Sequence, residues 1–370
     1  MRTGIWKYIL MIKESKVKVM MNRIFLIAVI AGIPLSVLGS LLHWPSLIMF
    51  VVYCLTIIAL AGFMGRATES LAIVAGPRIG GLLNATFGNA VELIISIFAL
   101  QAGLNGVVLA SLTGSVIGNL LLVGGLSFLI GGLKYKRQEF NVYDARHNSG
   151  LLIFSIIVAF VIPEVFSMNM EEAKTLSFSV GISIILILLY LCALFFKLVT
   201  HRGVYKHKTD EAGEHEEPEW SAKKAVVVLL LATIAVAYVS ENLVHTFETV
   251  GEQLGWSELF IGIIIVAIVG NAAEHASAIV MAFKNKMNVA VEIAVGSTLQ
   301  VAMFVAPLLV LLSLMFEKSL TLVFTLPELI SMVTAVFLTI ILTNDGDTNW
   351  FEGATLLAAY FIMGIGFYLL

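Results

Sequence analysis

The sequence predicts an all-α integral membrane protein with 11 transmembrane helices, one helix followed by two inverted-topology repeats of five helices each. Three observations predict this fold: the composition, the long apolar segments and an internal repeat. Apolar residues make up 59% of the 370 residues and charged residues only 13%, with a formal net charge of −3. Soluble domains carry about 25% charged residues. The composition therefore excludes a soluble enzyme, a disordered protein and a nucleic-acid-binding protein.

The apolar segments are long and numerous enough to cross a membrane eleven times. A hydrocarbon core of about 30 Å needs about 20 apolar residues of α-helix. We number the predicted segments spans 1 to 11: 24–42, 45–65, 79–102, 107–133, 149–166, 176–196, 225–246, 258–283, 288–315, 325–343 and 350–370. Span 2 is expected to continue as a helix to residue 74.

The distribution of lysine and arginine predicts how these spans are oriented. If the N-terminus is cytoplasmic, 20 of the 22 lysine and arginine residues lie in cytoplasmic segments, and only Lys174 and Lys318 lie on the other side. Cytoplasmic loops carry such an excess of positive charge. We therefore expect a multi-pass protein of the cell (plasma) membrane with a cytoplasmic N-terminus and an extracytoplasmic C-terminus. No cleavable signal peptide is expected, because no small-residue cleavage motif follows the first apolar segment.

A short motif occurs twice in the chain at a fixed distance. Gly-Asn-Ala-Val-Glu at 88–92 recurs 182 residues later as Gly-Asn-Ala-Ala-Glu at 270–274, and Gly-Ser at 114–115 recurs at the same distance at 296–297. Five spans separate the copies, so the copies cross the membrane in opposite directions. Inverted repeats of this kind build many secondary transporters, with the binding site near the bilayer midplane.

The repeat divides the chain into four predicted segments. These are an N-terminal extension with the first span (1–44), repeat 1 with spans 2–6 (45–196), a cytoplasmic acidic linker (197–224) and repeat 2 with spans 7–11 (225–370). Residues 1–21 are assigned no function.

The motif places two carboxylates at one depth in the membrane. Glu92 lies near the centre of span 3 and Glu274 near the centre of span 8. An ionised carboxylate there is costly unless something compensates its charge. Each glutamate is therefore part of a functional site or a protonated residue that joins helices by hydrogen bonds. Two symmetry-related acids favour the functional site. In contrast, Glu328 lies near a span end, where water is expected to reach it.

The neighbours of the two glutamates predict the kind of ligand. Gly88 and Gly270 lie one helical turn before each glutamate, and Asn89 and Asn271 add amide oxygens. The glycines either loosen the backbone, so that carbonyl oxygens reach a ligand, or only permit close helix packing. Carboxylate, amide and carbonyl oxygens suit hard cations such as Ca²⁺. Both cysteines lie outside the motifs, which disfavours zinc and copper.

The motif Gly-Asn-Ala-x-Glu in both halves, followed by Gly-Ser in the next span, resembles the bacterial type of calcium/proton antiporters, the cation-exchanger branch of the Ca²⁺/cation antiporter superfamily. The resemblance covers residues 24–370. It implies that Glu92 and Glu274 bind Ca²⁺ and protons alternately, helped by backbone oxygens near Gly88 and Gly270. It also implies extrusion of cytoplasmic Ca²⁺ driven by the inward proton gradient.

The resemblance extends the site into the spans that follow each motif. The residues that would line the same cavity are Ser115, Asn119, Ser297 and Gln300. The halves differ here, because Gln300 matches Gly118 and Val301 matches Asn119. His275 follows Glu274, whereas Leu93 stands at the matching position of the first copy. It either relays the proton or is a neutral histidine hydrogen-bonded between helices.

The acidic stretch 209–220 with His207 and His215 lies between the halves, where the family also has an acidic segment. It is either a Ca²⁺-sensing helix or a solvated linker, and it has no EF-hand spacing.

Other classes of protein fit the sequence less well. An intramembrane protease needs a catalytic set, but Tyr143-Asp144 lies in a predicted loop and no His-Glu-x-x-His motif is present, so no enzyme activity is expected. A passive cation channel also uses acidic side chains, and a carrier could couple to sodium or transport Mn²⁺, Mg²⁺ or a monovalent cation. We expect Ca²⁺, H⁺ and the lipid bilayer as partners, no nucleic acid and no cofactor. A homo-oligomer is compatible with the sequence.

Overall fold

The computed structural model describes residues 23–201 and 217–370. Residues 1–21 and most of the acidic linker, including His207 and His215, lie outside the described residues. The predictions made for those segments therefore remain predictions.

The described chain is a bundle of apolar helices. Ten of them are long and apolar enough to cross a membrane: Arg23–Leu41, Ser46–Gly76, Ile79–Gln101, Asn105–Tyr135, Arg146–Ser167, Glu172–Thr200, Ala222–Val244, Met287–Ser313, Leu326–Thr343 and Trp350–Leu369. These are spans 1 to 7 and 9 to 11. The prediction that span 2 continues past residue 65 is confirmed.

Span 8 consists of two shorter helices, Glu258–Gly270 and Ala272–Phe283. A Cβ built on Gly106, near the start of span 4, would lie 2.6 Å from the Glu258 carboxylate. The carbonyl of Phe283 accepts a hydrogen bond of 2.8 Å from Lys134 at the end of span 4. The two helices therefore traverse the bundle beside span 4, and the eleven predicted crossings are confirmed.

The repeated motif interrupts both of the helices that carry it. In span 3 a turn at Gly88 and Asn89 separates the helix that ends at Phe87 from the helix that begins at Ala90. Asn89 has φ −100° and ψ 19°, and Asn271 in span 8 has φ −102° and ψ 9°. Glycine and asparagine are weak helix formers, so the break falls at this dipeptide in both repeats.

Spans 4 and 9 form the centre of the bundle. Of their most apolar 18 residues, 72% and 61% are buried, compared with 17% in spans 1 and 6. Both central spans turn π-helical within four residues of the Gly-Ser motif, over Gly118–Val123 and Val301–Val305. Such π-helical turns are frequent at functional sites, and here they occur at matching places in the two repeats.

The spans that precede the motif helices differ between the repeats. Span 2 runs without a break for 31 residues to Gly76, whose φ of 79° ends it. Span 7 ends at Val244, and the short helix Phe247–Leu254 follows it. Gly255, with φ 66°, then leads into span 8 through a bend of 115°.

One face of the bundle carries the basic segments 134–146 and 284–286, and we call it the basic face. There, β1 (Gln138–Glu139) pairs antiparallel with β2 (Asp347–Thr348), and Arg137 forms an ion pair with Asp347. On the opposite face, the Asn105 side chain donates a hydrogen bond of 3.1 Å to the Ser319 carbonyl.

Two local predictions are wrong. Glu328 is only 1% exposed, because it forms a capping box with Thr325 at the start of span 10 and accepts a hydrogen bond of 3.1 Å from Thr113. The residues at 143–144 lie within a helix that begins at Val142, rather than in a loop.

Candidate cation-binding site

The two repeated glutamates lie just after the helix breaks, one in each repeat. Glu92 is 0% exposed, whereas Glu274 is half-buried. The same sequence position thus has two environments, one fully buried and one partly exposed.

Each glutamate packs against the motif glycine of the other repeat. A Cβ built on Gly88 would lie 3.1 Å from Oε1 of Glu274, and one built on Gly270 would lie 3.3 Å from Cβ of Glu92. The glycines therefore do more than interrupt the helices, because their missing side chains let the glutamate of the opposite repeat pack against each helix break. Both interpretations of these glycines, a loosened backbone and close packing, describe part of the geometry.

A serine from the following span holds each carboxylate. The Ser115 hydroxyl donates to Oε1 of Glu92 at 2.5 Å, and the Ser297 hydroxyl donates to Oε2 of Glu274. A hydroxyl that donates one hydrogen bond can still accept others. The serine of the repeated Gly-Ser motif thus places a hydroxyl donor beside each glutamate.

Asparagines then connect the serines across the repeats. Asn271 Nδ2 donates to Ser115 Oγ at 2.9 Å, and Asn119 Nδ2 donates to Ser297 Oγ at 3.0 Å. In both cases the asparagine belongs to the other repeat. The hydrogen bonds around each carboxylate therefore depend on both halves of the chain.

The positions at which the repeats differ give the site its asymmetry. Asn89 Nδ2 donates to Oε1 of Gln300 at 2.7 Å, and Nε2 of His275 lies 3.2 Å from Oδ1 of Asn119. Repeat 1 has Gly118 and Leu93 at the positions that match Gln300 and His275, so neither bond has a symmetric copy. His275 contacts the side-chain amide of Asn119 on another helix. This is the contact expected if His275 is a neutral histidine hydrogen-bonded between helices.

Two buried oxygens of the site have no hydrogen-bond partner in the described part of the chain. They are Oε2 of Glu92 and Oδ1 of Asn271. Leaving a buried acceptor unpaired is unfavourable, and a proton or a hard cation would pair with it. The carboxylate, amide and hydroxyl oxygens of the site therefore fit such a cation as a transported substrate.

All eleven predicted site residues belong to this single arrangement: Gly88, Asn89, Glu92, Ser115, Asn119, Gly270, Asn271, Glu274, His275, Ser297 and Gln300. Their proximity is a feature of the structure. Their role in ion binding stays a prediction.

The site is closed on the face opposite the basic face. There, the first half of span 8 presses against span 4. A Cβ built on Gly262 would lie 2.4 Å from Cβ of Ala110, and one built on Gly114 would lie 2.2 Å from the carbonyl oxygen of Ile263. Nothing larger than glycine fits this contact, so the two helix backbones touch.

The matching contact on the basic face is not made. Gly296 matches Gly114, but a Cβ built on it would meet nothing within 4 Å. Gly81 matches Ile263, and its nearest neighbour is Leu198 of span 6. Spans 3 and 9 therefore stand apart where spans 8 and 4 touch, and this agrees with the greater exposure of Glu274.

The sequence contains a signal for this contact beyond the two repeated motifs. Ile-Gly at 79–80 recurs as Ile-Gly at 261–262, again 182 residues later. This third pair lies in the first halves of spans 3 and 8. The first half of span 8 seals one face against span 4, whereas the first half of span 3 does not contact span 9 in the same way. The contact of Leu198 has no comparable signal in the sequence.

Fold and site together define a polytopic α-helical membrane protein with two inverted repeats that share a central pair of carboxylates. The model of the sodium/calcium exchanger protein family matches residues 45–199 and 224–369. The chain belongs to this family, and the resemblance predicted from the motifs is confirmed.

Individual relatives agree with the family match. The chain is 75% identical over 351 residues to the Ca²⁺/H⁺ antiporter ChaA of Bacillus subtilis (strain 168), covering 95% of this chain and 100% of that one. The structure of native YfkE has a TM-score of 0.84 at 70% identity and covers 94% of this chain and 100% of that one. The H⁺/Ca²⁺ exchanger CAX, at 15% identity, shares the fold with a TM-score of 0.69 over 94% of this chain and 92% of its own.

Proposed function

We propose that this protein is a secondary transporter that exchanges cytoplasmic Ca²⁺ for external H⁺ by alternating access at Glu92 and Glu274. The single observation that carries the proposal is the pair of glutamates from opposite repeats, each packed on the other repeat's glycine. The names of the close relatives, which are Ca²⁺/H⁺ antiporters, support the choice of ions. No covalent step and no cofactor is part of this function.

Exchange follows from the need to neutralise the two acids. Two ionised carboxylates inside a membrane protein are costly when nothing compensates them. One Ca²⁺ can balance both charges by binding to the oxygens, and protons can balance them by binding to the same oxygens. The two occupants therefore compete, and return of the empty, ionised site is unfavourable.

The difference between the two faces of the bundle is the basis for alternating access to the site. We take the basic face to be cytoplasmic, because positive loops favour that side. The structure then corresponds to access from the cytoplasm, with spans 4 and 8 sealing the outside. Rocking of one group of helices against the other would join spans 3 and 9 and separate spans 4 and 8. The sealed contact also argues against a continuous pore.

The test uses inside-out vesicles with an acidic interior, in which added Ca²⁺ should dissipate the pH difference. We expect Glu92→Gln and Glu274→Gln to abolish this response, whereas Glu241→Gln, which changes an exposed carboxylate of span 7, should retain it. Ca²⁺-driven proton movement that survives in both site variants would refute the proposal.

The same assay separates the alternative ions. Replacing Ca²⁺ by Mn²⁺, Mg²⁺ or a monovalent cation tests the transported ion, and a sodium gradient without a pH difference tests the coupling ion. A response to the sodium gradient alone would mean that the coupling ion is sodium rather than H⁺. The proposed binding site would stay the same.

A further inference from the structure

The last turn of span 6 contacts both span 3 and span 9 on the basic face. This segment, Phe196–Thr200, is π-helical, and we call it the wedge segment. A Cβ built on Gly81 of span 3 would lie 2.7 Å from Cδ2 of Leu198, and Nζ of Lys197 lies 2.5 Å from Oε1 of Glu292 of span 9. One segment thus contacts both of the helices that stand apart.

The internal repeat shows what these two helices would otherwise contact. With the offset of 182 residues, Gly81 matches Ile263 and Glu292 matches Ala110. On the sealed face, Ile263 touches Gly114, and Ala110 touches Gly262. The wedge segment therefore contacts Gly81 and Glu292, the counterparts of Ile263 and Ala110, while the space beside Gly296, the counterpart of Gly114, is open.

The geometry points to a conformational role: the wedge segment holds the basic face open and must move aside before that face can close. Leu198 opposes closure sterically, because its side chain fills the space beside Gly81. The ion pair between Lys197 and Glu292 contributes less to keeping the face open, since its side chains are 70% and 56% exposed and exposed pairs stabilise little.

The construction of the segment suits such a movement. A π-helical turn is an irregular end to a helix, so it can rearrange without unwinding the span before it. The Phe196 ring stacks on His147 of span 5, with 6.2 Å between centroids. That contact anchors one end of the segment while Leu198 and Lys197 face the opening. The inference rests on the proposed function only in treating closure as a step of transport.

The test measures closure directly, without transport. Spin labels at Ile79→Cys and Val289→Cys, both exposed positions, report the distance between spans 3 and 9 in the full chain reconstituted in nanodiscs. The background carries Cys54→Ala and Cys192→Ala, so that neither of these free cysteines can take up the label. Double electron–electron resonance gives the fraction of molecules with a short distance.

We expect Leu198→Ala to raise the short-distance fraction at least about twofold, which is a population shift, and Leu198→Trp to lower it. Glu292→Gln, which removes only the ion pair, should shift it less than Leu198→Ala. The matched control is Val199→Ala, a neighbour that is 43% exposed, and it should behave as the wild type.

Equal distance distributions for Leu198→Ala and Val199→Ala would overturn the inference. If Leu198→Ala is not recovered folded, Leu198→Trp decides, because an unchanged short-distance fraction in that variant would be equally fatal. Vesicles without Ca²⁺-driven proton movement would refute the proposed function but leave this distance measurement interpretable.

Discussion

The first half of span 3 and the first half of span 8 occupy the same place in their repeats but have different neighbours. In span 8 this half is π-helical over Ile261–Val266, follows a bend of 115° and touches span 4. In span 3 it is α-helical, follows the long span 2 and meets Leu198. One sequence pattern thus supports two packings, and interfaces with two discrete arrangements are the usual basis of switching.

The largest effect is expected from a substitution that disrupts the contact between spans 4 and 8 on the sealed face. In Gly114→Ala the new Cβ would lie 2.2 Å from the backbone oxygen of Ile263, and overpacking of this kind destabilises by about 1–3 kcal/mol. In Gly296→Ala nothing lies within 4 Å, so the change should stay within about 0.5 kcal/mol. Helix propensity favours alanine equally in both variants. Thermal unfolding in detergent compares them, and equal losses would contradict a difference between the faces.

The same pair of variants separates stability from transport. If spans 3 and 9 meet during transport, Gly296 must approach span 3 closely, as Gly114 now approaches span 8. Gly296→Ala should then combine the stability of the wild type with slower Ca²⁺-driven proton movement in vesicles. Wild-type rates would show that the closed basic face is not the mirror image of the sealed face.

A smaller effect is expected from making the two halves of the site alike. Gln300→Gly installs the residue that repeat 1 has at the matching position and removes the bond of 2.7 Å to Asn89. A hydrogen bond of this type contributes about 0.5–1.5 kcal/mol, so Ca²⁺ affinity should fall by about two- to tenfold. Calcium titration of the exchange rate measures this change. An affinity equal to that of the wild type would show that Gln300 does not position the site.

The smallest effect concerns His275. His275→Leu installs the residue of the other repeat and removes the contact of 3.2 Å with Asn119. Because that contact joins helices rather than reaching a glutamate, we expect the exchange rate to fall by less than about threefold. The number of protons moved per Ca²⁺ should stay the same. Exchange that loses its dependence on protons would instead favour the relay interpretation of His275.

Much of the architecture could be predicted from the sequence, because membrane thickness and charge constrain it strongly. Eleven apolar segments of the right length predicted the eleven spans, and one repeated offset predicted which residues would meet. Glu92, Glu274, Ser115 and Ser297 lie in one site because the repeat places matching residues at the same depth. The cytoplasmic orientation, the segment boundaries and the ion-binding roles stay predictions.

The difference between the two faces could not be predicted. Gly114 and Gly296 occupy matching positions in the two repeats, so the presence of these glycines does not say which face is closed. Leu198 stops spans 3 and 9 from meeting through a steric contact between residues distant in the chain, and such a contact leaves no periodic signal. The buried Glu328 was missed for a similar reason, because Thr113, which pairs with it, is far away in sequence.

The two serine hydroxyls have a consequence for how the halves communicate. Ser115 gives its hydrogen to Glu92 while it receives one from Asn271. A proton on the unpaired Oε2 of Glu92 would leave Oε1 as an acceptor, so the hydrogen bond from Ser115 is compatible with both the charged and the neutral carboxyl group. Asn271 stands at the discontinuity of span 8, so the hydroxyl that holds Glu92 is itself held by the broken helix of the other repeat. A displacement of that helix break would therefore reach the Ser115 hydroxyl, even if Glu92 itself stayed in place.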